Sequence, residues 1–179
     1  LDGGSGRWVR VKVEGKPVGG RWAKLFGMTI GEQVDFTALD QNGAEVTLSQ
    51  FRGKPVVLFF YPRADTPGCT IEACEFRDLY SDLKAAGAVL LGISRDPVKA
   101  QKKFADKFSL PYTLLSDPEL AICNQFGLVS QGSMYGKPVT KIERSTFVFD
   151  REGKLEAEFR KVKPEGHAAE ILALVKGVS

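Results

Sequence analysis

Val56-Val57-Leu58-Phe59-Phe60-Tyr61, followed at once by Pro62-Arg63-Ala64-Asp65-Thr66-Pro67-Gly68-Cys69, is the stretch that decides how this chain folds. An apolar run with no polar alternation reads as a strand buried on both faces, the kind found inside an α/β sheet. The Thr-Pro-Gly segment reads as a turn that launches a helix. Cys69 therefore falls in the first turn of a helix, where unpaired backbone N–H groups and the helix dipole favour negative charge. Only the thiolate is a nucleophile, so this position permits cysteine chemistry without proving it.

Outward from this stretch the pattern is regular. Strands are expected at 34–39 and 45–48, joined by a turn at Gln41-Asn42-Gly43. The helix begun near 67 is expected to continue to 86 and to end at Gly87. A strand at 89–94, a helix from Asp96-Pro97 toward Lys107 and a strand at 113–115 follow, then a short helix from Asp117-Pro118 to near Gly127. Residues 130–139 read as a loop, and 145–149 and 155–159 as strands around a turn at Glu152-Gly153. The final helix, 165–176, places Ala168, Ile171, Leu172 and Val175 on one face and His167 on its exposed side. Strands alternating with helices imply an α/β fold, and the closing hairpin makes its central sheet mixed, flanked by helices.

Residues 1–27 stand apart. They carry six Lys/Arg and two acidic side chains, net +4, which leaves the remainder at −1 of the chain's +3. The basic character thus belongs to this Gly-rich segment and argues against a nucleic-acid partner for residues 28–179, the expected main domain. The alternation Trp8-Val9-Arg10-Val11-Lys12-Val13 suggests a strand, half of a hairpin, within an extension of unknown origin. No apolar stretch approaches the roughly 18 residues of a membrane span. Three cysteines are too few for a disulfide scaffold, and the odd number fits a cytoplasmic chain. A single histidine and no ligand cluster of suitable spacing make structural zinc improbable.

An unperturbed thiol with a pKa of about 8.5 is only about 3% ionised at pH 7. Lowering such a pKa to about 6 takes roughly 3.4 kcal/mol, whereas a helix terminus supplies about 0.3–1 kcal/mol. Asp65 and Glu72, close in sequence to Cys69, would push the wrong way. A cation from elsewhere in the chain is required. Without one, Cys69 is a small buried hydrophobe, as free cysteines commonly are.

The segment from Phe60 to Asp78 resembles the active-site signature of the peroxiredoxins, with Pro62, Thr66 and Cys69 in the Pro-x-x-x-Thr-x-x-Cys spacing. The second cysteine, Cys74 at +5, is similar to that of the bacterioferritin comigratory protein or peroxiredoxin Q branch. Met134-Tyr135-Gly136 and Ile142-Glu143-Arg144-Ser145-Thr146-Phe147 match that branch again. The resemblance runs from about Met28 to the C-terminus, with Val34 standing where proline is expected. It implies a thioredoxin-like fold and a thiol-dependent peroxidase. Cys69 would be the peroxidatic cysteine, Thr66 would hydrogen-bond the thiolate and orient the peroxide, Pro62 would shield the pocket from water, and Arg144 would be the missing cation. Cys74 would resolve the sulfenic acid into an intrachain disulfide, re-reduced by thioredoxin or a similar dithiol protein in a monomeric enzyme. No cofactor is needed, because sulfur carries both electrons.

Helix geometry qualifies the Cys74 role. Five residues of α-helix separate two Cα atoms by roughly 8.6 Å, beyond the about 4.4–6.8 Å of a disulfide. A Cys69–Cys74 bond requires local unwinding, so the reduced form should hold a continuous helix. Cys123 reads as a buried core residue, with a back-up redox role as the alternative. A disulfide oxidoreductase is disfavoured by the absence of Cys-x-x-Cys spacing. A redox-sensing module that signals through the same disulfide remains the other reading.

Overall fold

The computed structural model describes residues 30–178 and, before them, the short strands Val11–Val13 (β1) and Lys16–Val18 (β2). Residues 56–60 form β5, buried at every position, as an apolar run without alternation demands. Parallel to it lies β6 (Val89–Ser94), and parallel to β6 lies β7 (Thr113–Ser116). On its other side β5 pairs antiparallel with β10 (Ser145–Phe149), which pairs with β11 (Leu155–Phe159). The hairpin of β3 (Thr37–Asp40) and β4 (Glu45–Thr47) closes the β7 edge. β1 runs parallel to β11 and antiparallel to β2, so the full order is β2-β1-β11-β10-β5-β6-β7-β3-β4. The sheet is mixed, as the alternation of elements predicts. Trp8 to Arg10 and Met28, which the sequence reading also singled out, lie outside the described residues.

The period of two along β5 divides the interior. Val57, Phe59 and Tyr61 face a core shared with α1 (Pro67–Asp78), α2 (Tyr80–Ala85), α3 (Val98–Phe108) and α5 (His167–Val178). Val56, Leu58 and Phe60 face the opposite core, where Phe126, Phe147 and Phe149 cluster beside α4 (Ala121–Gln125). Each such aromatic contributes about 1.5–3 kcal/mol by leaving water. α4 begins at Ala121, with Leu120 at its N-cap, later than the expected start at Asp117-Pro118; the Asp117 carboxylate still accepts from Ile122 N (3.2 Å) and Cys123 N (2.8 Å) in its first turn.

Three expectations are corrected. The single helix expected over 67–86 is two, α1 and α2, turned at Leu79, a point that carries neither glycine nor proline and gives no local warning. Residues 130–139 are not a loop but most of a hairpin, β8 (Val129–Met134) and β9 (Lys137–Ile142). Its two-residue turn places Tyr135 (φ 53°) and Gly136 (φ 77°) in the left-handed region, the geometry a tight hairpin prefers. Both strands are largely exposed and lack apolar alternation, so the usual strand signal is absent. Finally, His167 is buried rather than exposed: Nε2 lies 2.8 Å from Thr146 Oγ1, and the ring packs edge-on against Phe76 and Phe159. The predicted apolar face of α5 does pack inward, with Ala168, Ile171, Leu172 and Val175 buried.

Candidate active site

The site is built where β5 ends. Tyr61 N still donates to Ile93 O (3.0 Å), but Pro62, half-buried, has no N–H and the ladder stops. The following turn is tied down at two points. Ala64 N donates to Asp96 Oδ2 at 2.7 Å, and the same oxygen accepts from Ser94 Oγ at 2.6 Å. Asp65 adopts a left-handed conformation (φ 59°) and is held by Lys107 Nζ, 3.0 and 2.9 Å from its two carboxylate oxygens. Thr66 occupies the N-cap and Pro67 the first helical position. Thr70 N donates to Thr66 O (2.8 Å), the first bond of α1, which leaves the N–H groups of Gly68 and Cys69 free of helical acceptors. Cys69 is 1% exposed.

A cation reaches the thiol from the link just before β10. Register pairs Ser145 with Phe60, so Arg144 emerges beside the end of β5, next to the turn that leads to Cys69. Arg144 Nη2 donates to Cys69 Sγ at 3.2 Å, and Nη1 donates to Glu72 Oε1 at 2.9 Å. Burial works against the guanidinium charge, but Glu72 and Cys69 outweigh it and raise Arg144 above its ordinary value. Glu72 itself is fully buried, and burial pushes its carboxyl up to about 7 against the lowering influence of Arg144. Among the described residues Glu72 Oε2 has no hydrogen-bond partner.

Glu72 therefore corrects the sequence reading. Its charge was expected to oppose a thiolate; instead it faces Arg144 and holds that side chain between itself and the sulfur. The signal was present, because residues three apart on a helix share a face. Gly68 was also passed over. A Cβ there would stand 3.1 Å from Arg144 Nη2 and 3.4 Å from Pro164 Cγ, so the close approach of the guanidinium to α1 uses the absence of a side chain.

The other expected residues are placed as follows. The Thr66 hydroxyl, with one proton to give, donates to Arg63 O at 2.8 Å, so the expected bond to the sulfur is not formed here. Cys74 is half-buried on the same unbroken helix as Cys69, and both are free thiols. Burial pushes the Cys74 thiol up, partly offset by Arg77. Cys123 lies in the other core, fully buried beside Asp117, and burial raises its thiol far above the usual range. The structure thus brings Cys69, Glu72, Arg144 and the Thr66 turn together and leaves Cys123 apart. Among the described residues, no three His, Cys, Asp or Glu side chains are gathered as a metal site would need.

Residues 30–158 match the AhpC/TSA family. The Bacillus subtilis peroxiredoxin Bcp is 42% identical over 151 residues, covering 84% of this chain and 96% of that one. The Escherichia coli peroxiredoxin Bcp is 42% identical over 141 residues, 79% and 90% of the two chains. A solved structure of the Xanthomonas campestris bacterioferritin comigratory protein, described for its alkyl peroxide reduction activity, is 39% identical. It covers 79% of this chain and 90% of its own, with a TM-score of 0.76.

Proposed function

The chain belongs to the AhpC/TSA family, in its bacterioferritin comigratory protein or peroxiredoxin Q branch, and is a thiol-dependent peroxidase with a thioredoxin-like fold; from that premise we propose that Cys69 is the peroxidatic cysteine of a thioredoxin-dependent cycle acting on hydrogen peroxide and small alkyl hydroperoxides. The observation that carries this reading is the 3.2 Å contact between Arg144 Nη2 and Cys69 Sγ, made across 75 positions of sequence. A guanidinium stays charged at any working pH and offers two parallel donors, so one can hold the thiolate while the other is fixed by Glu72.

The Cys69 thiolate attacks one peroxide oxygen. An S–O bond forms, the O–O bond breaks, and the leaving alkoxide or hydroxide takes a proton to become alcohol or water. Arg144 and the N–H groups at the start of α1 stabilise the charge that develops on the oxygens. For Thr66 to orient the peroxide, its hydroxyl must rotate away from Arg63 O, a change of one side-chain torsion. Pro62 shields the sulfur from water. Cys74 then attacks the sulfenic sulfur, releasing water and forming the Cys69–Cys74 disulfide, and a thioredoxin-like dithiol restores both thiols. This is the atypical 2-Cys scheme, and it requires the first turns of α1 to unwind. The alkyl peroxide reduction for which the Xanthomonas campestris relative is described supports the substrate class. Residues 28–179 would form the catalytic domain of a cytoplasmic monomer and residues 1–27 an extension.

The test is peroxide consumption with thioredoxin and its reductase for wild type, Cys69→Ser and Cys74→Ser. Rapid turnover lost with Cys69, and a single oxidation followed by a stall in Cys74→Ser, is the expected result. Slow stoichiometric oxidation of the wild type would instead favour a redox sensor that signals through the same disulfide.

A further inference from the structure

We infer that Arg160 is a positioning residue for Arg144, a role that rests on the reading of Arg144 as the partner of the Cys69 thiolate. Residues 143 and 144 form the link between β9, which ends at Ile142, and β10, which begins at Ser145. They belong to neither strand, so the sheet ladder does not itself fix how Arg144 leaves the backbone. Much of what holds the link comes from the residues just after β11.

Arg160, immediately beyond β11, has a side chain that is 1% exposed. Its Nε lies 2.6 Å from Glu143 Oε2, and its Nη1 donates to Glu158 Oε1 at 2.9 Å. Nη1 and Nη2 also donate to Phe126 O (3.2 Å) and Gly127 O (3.0 Å) at the end of α4. A guanidinium removed from water is costly unless carboxylates and carbonyls offset it, and here three hydrogen bonds and the ion pair with Glu143 converge on one side chain. The Glu143 carboxylate so anchored also accepts from Ser145 Oγ at 2.7 Å, bracketing Arg144 on both sides. Two bonds complete the grip: Glu143 N donates to Leu128 O, and Val162 N donates to Arg144 O, each at 2.9 Å.

Arg144 is thus held through its neighbour's side chain and through its own carbonyl by one short segment, Arg160 to Val162. Its side chain is a long arm from that pivot. A small rotation of the link moves the guanidinium off Cys69, where a misplacement near 1 Å costs on the order of a hundredfold in rate. Arg160 touches neither peroxide nor sulfur; it acts by setting where Arg144 points.

The experiment is a double-substitution cycle on the full chain, reading the second-order rate of Cys69 oxidation by hydrogen peroxide. Arg160→Met is expected to slow oxidation about tenfold or more in the wild-type background, and to add less than about twofold in an Arg144→Gln background. A loss of equal size in both backgrounds, or none in the first, overturns the inference, because a merely structural residue damages both alike. If Arg160→Met does not fold, Glu143→Gln decides in its place. It removes the charge from the same ion pair and should show the same non-additivity at smaller amplitude. The single Arg144→Gln variant separates the two levels. At a wild-type rate it overturns both the Arg144 reading and this one, whereas a slow Arg144→Gln with a fast Arg160→Met overturns the positioning role alone.

Discussion

Glu72 and Arg144 form a buried ion pair, Nη1 to Oε1 at 2.9 Å, in which the carboxylate is fully enclosed and the guanidinium is shared with Cys69. Because burial raises Glu72 from its ordinary 4.5 to about 7, the folded protein binds a proton that the unfolded chain has released. Stability therefore falls as pH rises from about 4.5 to about 7 and levels off above, the sign that linkage gives when the native state binds more protons. Urea unfolding of wild type and Glu72→Gln across this window should show the wild type losing on the order of 1–3 kcal/mol relative to the variant. A constant difference across the range would contradict the burial-driven shift.

Arg144→Lys tests the fork itself. Lysine keeps the charge but presents its donors from one nitrogen, so it cannot reproduce the fork in which separate nitrogens hold Cys69 and Glu72. Stopped-flow oxidation by peroxide is expected to slow about 10- to 1000-fold while the far-ultraviolet spectrum is unchanged. A variant that reacts at the wild-type rate would reduce Arg144 to a point charge.

Gly68→Ala separates activity from stability. Alanine is favoured over glycine by up to about 1 kcal/mol in a helix interior and by less in the first turn, where Gly68 sits, yet its Cβ would stand 3.1 Å from Arg144 Nη2. Displacing that nitrogen by a few tenths of an ångström should slow Cys69 oxidation severalfold without lowering the melting temperature. Full activity would mean that the guanidinium has room to retreat.

Cys123 is expected to take no part in turnover. Its thiol is buried and held far up its titration range by burial and by Asp117. Mass spectrometry after alkylation of the native protein should find Cys123 unmodified, and Cys123→Ser should cycle with thioredoxin at the wild-type rate. A stall after one oxidation, like that expected of Cys74→Ser, would restore the back-up redox role.

The proposed Cys69–Cys74 bond would strain contacts that now hold α1. Tyr112 donates its hydroxyl to Ala73 O at 2.6 Å, and Gly166 N donates to Glu75 Oε1 at 2.9 Å, on either side of Cys74. Hydrogen exchange on the oxidised protein should show lost protection within Pro67–Asp78 while β5 and β6 stay protected. An oxidised form with α1 fully protected would exclude a Cys69–Cys74 bond.

Much of the fold was legible because its signals are local. The run through β5, the turn with Pro62 and Pro67, and the face of α5 each follow from residues within a few positions of one another. Where signals were weak, the reading failed. The β8–β9 hairpin has a tyrosine where asparagine or aspartate would announce the turn, and no core-facing alternation. His167 was assigned outward because a helix period places a residue on a face but does not say what else approaches that face. Here Thr146, Phe76 and Phe159 do.

The sequence by itself determined that a thiol stands at the first turn of a helix behind a buried strand, and that local charges could not activate it. Both conclusions rest on short-range geometry and on energies that do not depend on the rest of the chain. Only the tertiary structure decided which cation answers and what the nearby acid does. The pairing of β10 with β5 brings Arg144 to Cys69 across 75 positions, and the contact with Arg144 turns Glu72 from an apparent opponent into the arginine's anchor. Charge–charge interactions depend on separation and on exclusion of water, and those are properties of strand order and packing rather than of distance along the chain.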